Sequence, residues 1–231
     1  MDTNRKTAII VGVLYIIGTV AGVLSAVLIE SVSKSQDLLI NVSRHANYIR
    51  LSALFILIMG LALALIPVVL FPILKKFHEI FAVGYVVFRG GLETITYIGS
   101  VVSWLLLLPL SRLYTNGNQD ASKFQNMYKL LLETNPLFSI CTIVFIIGAL
   151  MFYYVLYKSK LVPRWLSGWG LIAAIPYLVT GLLGIFGVIN TSINSPSIIH
   201  SVMVFPLAVQ EMVLAVWLIV KGFNPAVKKP V

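Results

Sequence analysis

Six long apolar stretches decide what this chain can fold into. They run approximately Thr7–Ile29, Leu51–Leu74, Ile80–Leu110, Leu137–Tyr157, Trp169–Ile189 and Val202–Val220. A helix crossing a hydrocarbon core of about 30 Å needs roughly 20 mostly apolar residues, and each stretch is close to that length or longer. The runs are continuous and lack the inside–outside alternation of barrel strands. The sequence therefore predicts an all-α membrane protein, one integral domain over residues 1–231 built as a six-transmembrane-helix bundle. Composition agrees: of 231 residues, 59% are hydrophobic and only 11% charged, against about 25% charged in soluble domains. An ordinary water-soluble domain, a disordered chain and a nucleic-acid module are excluded. The third stretch is the longest and must tilt or project from the bilayer. The first follows Arg5 and Lys6 as a signal peptide would. Its apolar run exceeds the usual ~7–15 residues and no small-residue cleavage site follows, so it reads as a retained span.

Orientation comes from basic residues counted loop by loop. One side holds Arg5, Lys6, Lys75, Lys76, Lys158, Lys160, Arg164, Lys221, Lys228 and Lys229; the other holds Lys34, Arg44, Arg50, Arg112, Lys123 and Lys129. The richer side is expected to be cytoplasmic, with both termini on that side and the protein in the cytoplasmic membrane. Glu30, Asp37, Asp120 and Glu133 all fall on the outer side. There, in Asp120–Glu133, Phe124, Met127, Tyr128 and Leu131 follow helical spacing after an Asn116-Gly117 turn and before Asn135-Pro136. An amphipathic outer-side helix between spans three and four is expected, on the interface or capping the bundle. Ser33–Arg50 has a weaker pattern of the same kind, with Arg44 and Arg50 placed to meet lipid phosphates. On the inner side, Pro163 stops the fourth helix, and Trp165 and Trp169 suit the headgroup level.

Three ionisable residues fall well inside the spans: Arg89, Glu93 and Glu211. Each costs roughly 2.5–3.5 kcal/mol at a helix centre on insertion scales, so such residues face the bundle interior and find partners. At 1.5 Å per residue, Arg89 and Glu211 each lie about 15 Å from the inner end of their span, near the midplane. Glu93 is one turn outward of Arg89 on the same face. A buried Arg89–Glu211 contact is predicted, with Glu93 as a second carboxylate on the same guanidinium. The face continues as a polar stripe through Tyr85, Thr96, Tyr97, Ser100 and Ser103, and Gln210 adds an amide beside Glu211. One arginine against two ionised glutamates leaves a charge of −1, so a protonated carboxylate or an added cation must balance it.

Elsewhere the spans carry packing features. Gly12, Tyr15, Thr19 and Gly22 share a face, Gly18 and Gly22 form a small-xxx-small step, and Gly181, Gly184 and Gly187 suggest close packing in span five. Pro67, Pro72, Pro176 and Pro206 are candidate kinks. Catalytic machinery is not evident. His45 and His200 lie on the outer side and His78 on the inner, so they cannot share a metal. Cys141 is the single cysteine, and nucleophile-elbow, zinc-protease and phosphate-loop patterns are missing. No catalytic residue, metal or cofactor is expected.

The run Phe88-Arg89-Gly90-Gly91-Leu92-Glu93, the connection from Lys158 through Pro163-Arg164-Trp165 to Leu166, and the closing stretch Glu211–Gly222 with Trp217 and Lys221 resemble a known family. It is the bacterial multi-pass membrane protein family called domain of unknown function 4386. The resemblance covers nearly the whole chain. It implies a bacterial membrane protein, supports the topology and directs attention to Arg89, Glu93 and Glu211, but supplies no substrate. Three functional readings stand open. The first is a small transporter or ligand-binding protein whose binding or proton site comprises Arg89, Glu93, Glu211, Gln210 and Tyr97. Its partners would be the lipid bilayer and a proton, ion or small polar ligand, with no nucleic acid and no oligomeric state implied. The second is a structural or sensory protein whose charges only clasp helices. The third is an intramembrane lipid-modifying enzyme.

Overall fold

The computed structural model describes residues 3–33, 38–116, 121–132, 135–193 and 196–224. The elements are α1 (Thr3–Ser33), α2 (Leu38–Arg44), α3 (Ala46–Leu74), α4 (Glu79–Tyr85), a π-helical segment (Val86–Leu92), α5 (Glu93–Asn116), α6 (Ala121–Leu132), α7 (Asn135–Ser159), α8 (Arg164–Ile185) and α9 (Ile198–Val220). No strand occurs among the described residues. Six helical stretches are long and apolar enough to cross a membrane, so the chain is a multi-pass membrane protein. Lys34, Asp37, Asp120, Glu133, Lys228, Lys229 and the Gly117 half of the expected turn lie outside the described residues.

Consecutive spans pack side by side: α1 on α3, α3 on the π segment and α5, these on α7, α7 on α8, and α8 on α9. The circle then closes with α9 on α1. This is a six-membered ring in chain order, the arrangement that short connections between antiparallel neighbours favour. In such a ring the third span stands opposite the sixth. The first and last spans meet at the seam, the one junction of the ring that no connection bridges. Contacts near the start of α1 and the end of α9 fasten that seam. Arg5 donates to the carbonyls of Leu218 (3.1 Å), Ile219 and Val220. A Cβ on Gly12 would stand 2.6 Å from the Ala215 carbonyl oxygen, so only glycine permits this approach.

Local chemistry explains the boundaries. The Ser197 hydroxyl accepts from His200 N–H at 3.2 Å and caps α9. In α4 the His78 ring accepts from Phe81 N–H at 3.3 Å. The fifth span begins and ends earlier than expected, at Arg164–Ile185 rather than Trp169–Ile189. Gly187 takes φ +69°, with Val188 N–H on Leu183 O (2.9 Å) and Gly187 N–H on Gly184 O (3.0 Å), the two bonds of a Schellman stop. Gly187 therefore terminates the helix and packs against nothing, which corrects its expected packing role. Gly181 and Gly184 do face α7, at Thr142 and Ser139. The helices run on through Pro67, Pro72, Pro176 and Pro206.

The third span is the largest departure from the expected single helix. It occupies Glu79–Thr115, 37 residues, about 55 Å at helical rise and well beyond a ~30 Å core. Its first half contains a π-helical turn, with Glu93 N–H bonded to the Phe88 carbonyl five residues back. The widened turn carries Gly90-Gly91 and is flanked by Gly148 of α7, where a Cβ would sit 3.2 Å from the Arg89 nitrogen. Outside the ring, α6 rests on α5 and α2. Tyr128 is fully buried there and Phe124 meets Tyr114 at 5.9 Å, while Met127 stays exposed. The amphipathic helix is thus a cap on the bundle end.

Candidate functional site

The third span delivers its polar stripe to the middle of the ring. Tyr85, Arg89, Glu93, Thr96, Tyr97 and Ser100 are all buried, as their three- and four-residue spacing requires. Ser103, beyond them, is only half-buried. From this face the Arg89 guanidinium crosses the ring to the opposite helix. Its Nη2 donates to Glu211 Oε1 at 3.1 Å, and its Nη1 to Glu93 Oε1 at 3.3 Å. One planar fork serves two carboxylates from two spans. The Arg89 guanidinium also lies over the Phe145 ring of α7, 4.2 Å from its centroid.

The two carboxylates differ. Glu93 accepts a second bond from the Tyr97 hydroxyl at 2.8 Å and is 1% exposed, whereas Glu211 keeps 16% of its side chain exposed. Among the described residues, Glu93 Oε2 and Arg89 Nε are buried without a hydrogen-bond partner. Buried polar atoms without partners cost about 1–3 kcal/mol each, so the cluster has donor and acceptor capacity to spare.

A cavity of about 150 Å³ surrounds the cluster. Every span contributes to its wall: Gly18 and Thr19 of α1, Met59 and Leu63 of α3, Arg89, Glu93 and Tyr97 of the third, Phe145 of α7, Tyr177 of α8, and Val204, Leu207, Ala208 and Glu211 of α9. This is the axis of the ring. Beside it stands a layer of aromatic and amide contacts. Tyr15 and Tyr85 hydroxyls are 3.4 Å apart, Tyr85 stacks on Phe152 at 4.7 Å, and the Tyr153 hydroxyl donates to the Gln210 amide oxygen at 2.6 Å. The Gln210 amide nitrogen donates to the Leu166 carbonyl at 3.0 Å.

Of the residues singled out from sequence, Arg89, Glu93, Glu211 and Tyr97 come together at the cavity. Gln210 does not line it, because adjacent helical residues point about 100° apart, and its amide braces α9 against α7 and α8. Phe145, Tyr177, Thr19 and Ala208 were not singled out as site residues. Apolar or weakly polar positions on four different helices give no local signal of convergence. The described residues contain no grouping of three or more His, Cys, Asp and Glu that could hold a metal.

No curated protein and no solved structure matches this chain. The family described as Domain of unknown function (DUF4386) matches residues 10–222 of the 231. The Phe88–Glu93 run, the Lys158–Leu166 connection and the Glu211–Gly222 stretch all lie inside that match. A six-span ring with a charged axis is therefore the setting in which the chain belongs to the DUF4386 family.

Proposed function

We propose that this is a small transporter-like or ligand-binding protein of the cytoplasmic membrane, termini inside, whose midplane site loads and releases a monovalent cation, the proton included. The observation that carries this reading is an unbalanced charge at an open place. One guanidinium faces two carboxylates in a cavity walled by all six spans, and one carboxylate is partly exposed. The ionised trio sums to −1, and a low-dielectric site does not hold net charge without compensation. A bound proton or cation supplies it. Arg89 holds the carboxylates in place, Tyr97 orients Glu93, and Glu211 is the exchanging group because it is the more accessible of the two. Intramembrane carboxylates beside arginine are materials of ion and proton pathways.

The clasp reading has its own support in the two short ion pairs and the 3% exposure of Arg89. Reconstitution into vesicles loaded with a pH-sensitive dye separates the two. Cation-coupled or proton-coupled flux is expected from the native protein and not from Glu211→Gln. Equal, protein-independent leak from both, with both correctly folded, contradicts the proposal and leaves the clasp.

A further inference from the structure

The central cavity reaches the ring's seam, where Gly18 and Thr19 of α1 and Ala208 of α9 line it. The inner halves of α1 and α9 are fastened through Gly12 and Arg5. One to two turns further outward, Thr19 and Ala208 line both the polar cavity and a second, larger space on the outer surface of α9. That space is a groove of about 620 Å³ walled by Phe205, Val209, Met212, Val213, Val216 and Trp217, and it ends at Lys221. Its wall is almost wholly apolar and faces the acyl region of the bilayer. Here α1 also packs on α3, with Gly18 against Leu63 and Gly22 against Met59, and Thr19 and Ala208 form the wall that cavity and groove share.

We infer that the site takes an amphiphilic organic ammonium, its protonated amine at Glu93 and Glu211 and its aliphatic tail in the α9 groove, entering from the lipid through the Thr19–Ala208 portal. This rests on the reading of the charged cluster as an open cation site. Charge selects the head group: +1 brings the trio's −1 to zero. Donors select it further. Glu93 Oε2 is a buried acceptor with no partner among the described residues, which an N–H-bearing ammonium satisfies and a quaternary one does not. A cavity of about 150 Å³ holds an ammonium head and a few methylenes, so a longer chain must leave through the portal. Charge also fixes the polarity of the bound molecule. Lys221, at the groove's far end, repels an ammonium and attracts an anion, so the cationic end belongs at the carboxylates.

Calorimetric titration of the full chain in lipid nanodiscs, with empty nanodiscs as reference, tests this at neutral pH. The probes are decylammonium, methylammonium and decyl sulfate. Decylammonium is expected to give a saturable component with one site per protein, and methylammonium to bind about tenfold or more weakly, since the buried tail contributes affinity. Decyl sulfate is expected to give no saturable component. Ala208→Phe places a ring in the portal from an exposed position. It should weaken decylammonium about tenfold more than it weakens methylammonium. Thr19→Phe, from the opposite wall, should do the same and guards against misfolding of the first variant. Methylammonium binding that depends on Glu211, with no gain from the tail and no effect of either portal variant, overturns the lateral amphiphile and leaves the cation site standing. Saturable binding of decyl sulfate in place of decylammonium overturns it too, assigning the groove to anionic lipid at Lys221. If no probe shows binding that Glu211→Gln removes, the cation site fails and this inference fails with it.

Discussion

At the residue scale the decisive fact is that one guanidinium reaches two carboxylates across a ring. Depth arithmetic on the sequence, ten residues in from each inner end, was enough to bring Arg89 and Glu211 to one level. The i, i+4 step was enough for Glu93, because the π-helical turn that Glu93 N–H closes still brings both side chains together on the face toward the ring's axis. The unequal exposure of the two glutamates was not legible, since it depends on how six helices close around the cavity. Gln210 shows the limit from the other direction: adjacency in sequence to Glu211 put it on a different face. Removing one partner of a buried pair costs about 3–5 kcal/mol, largely the penalty of the charge left alone. Arg89→Glu is therefore expected to lower thermal stability in detergent severely, and Arg89→Glu with Glu211→Arg to recover part of it. Absence of any recovery counts against the direct contact. Tyr97→Phe removes one hydrogen bond to a carboxylate and is expected to cost about 1.5–3 kcal/mol, read in the same melting assay.

At the scale of elements, glycine separates close approaches from stops. Gly12 lets α1 touch the α9 backbone, and Gly12→Ala should weaken the seam by about 1–3 kcal/mol, as overpacking does. Gly91 lies in the π segment with nothing within 4 Å of a Cβ. Gly91→Ala is expected to be near neutral in the same assay, and a large loss there would contradict the described packing. The sequence pattern treated glycines alike, because small residues at helical spacing look the same whether a neighbour approaches or a left-handed turn ends the helix. Gly187 belongs to the second kind. The π segment was also hidden, because hydropathy cannot distinguish a five-residue turn from a four-residue one. The prolines allowed no finer reading, since all four sit inside helices that continue.

At the scale of the whole molecule, hydropathy carried most of the fold. Span number, antiparallel order and the cap on one end of the bundle followed from continuous apolar runs, short connections and one amphipathic stretch. Closure of the ring did not follow, because contact between the first and last spans is encoded only in Gly12, Arg5 and the faces they meet. The basic-residue asymmetry supplies a direct test of orientation. In a background lacking Cys141, a cysteine at Lys76 should react with a membrane-impermeant maleimide only after inner-side access. A cysteine at Leu130, exposed on α6, should react from outside in intact cells. The reverse pattern would invert the topology.

The most direct measurement of the axial site is infrared difference spectroscopy of the protein in lipid across a pH titration, with glutamate carboxyls isotopically labelled. An exchanging Glu211 gives a glutamate carboxyl band that appears and disappears reversibly with pH and that is lost in Glu211→Gln. A spectrum with no titrating glutamate band assignable to Glu211, in folded native protein, would mean that the cluster is a closed ion pair and not an exchanging site.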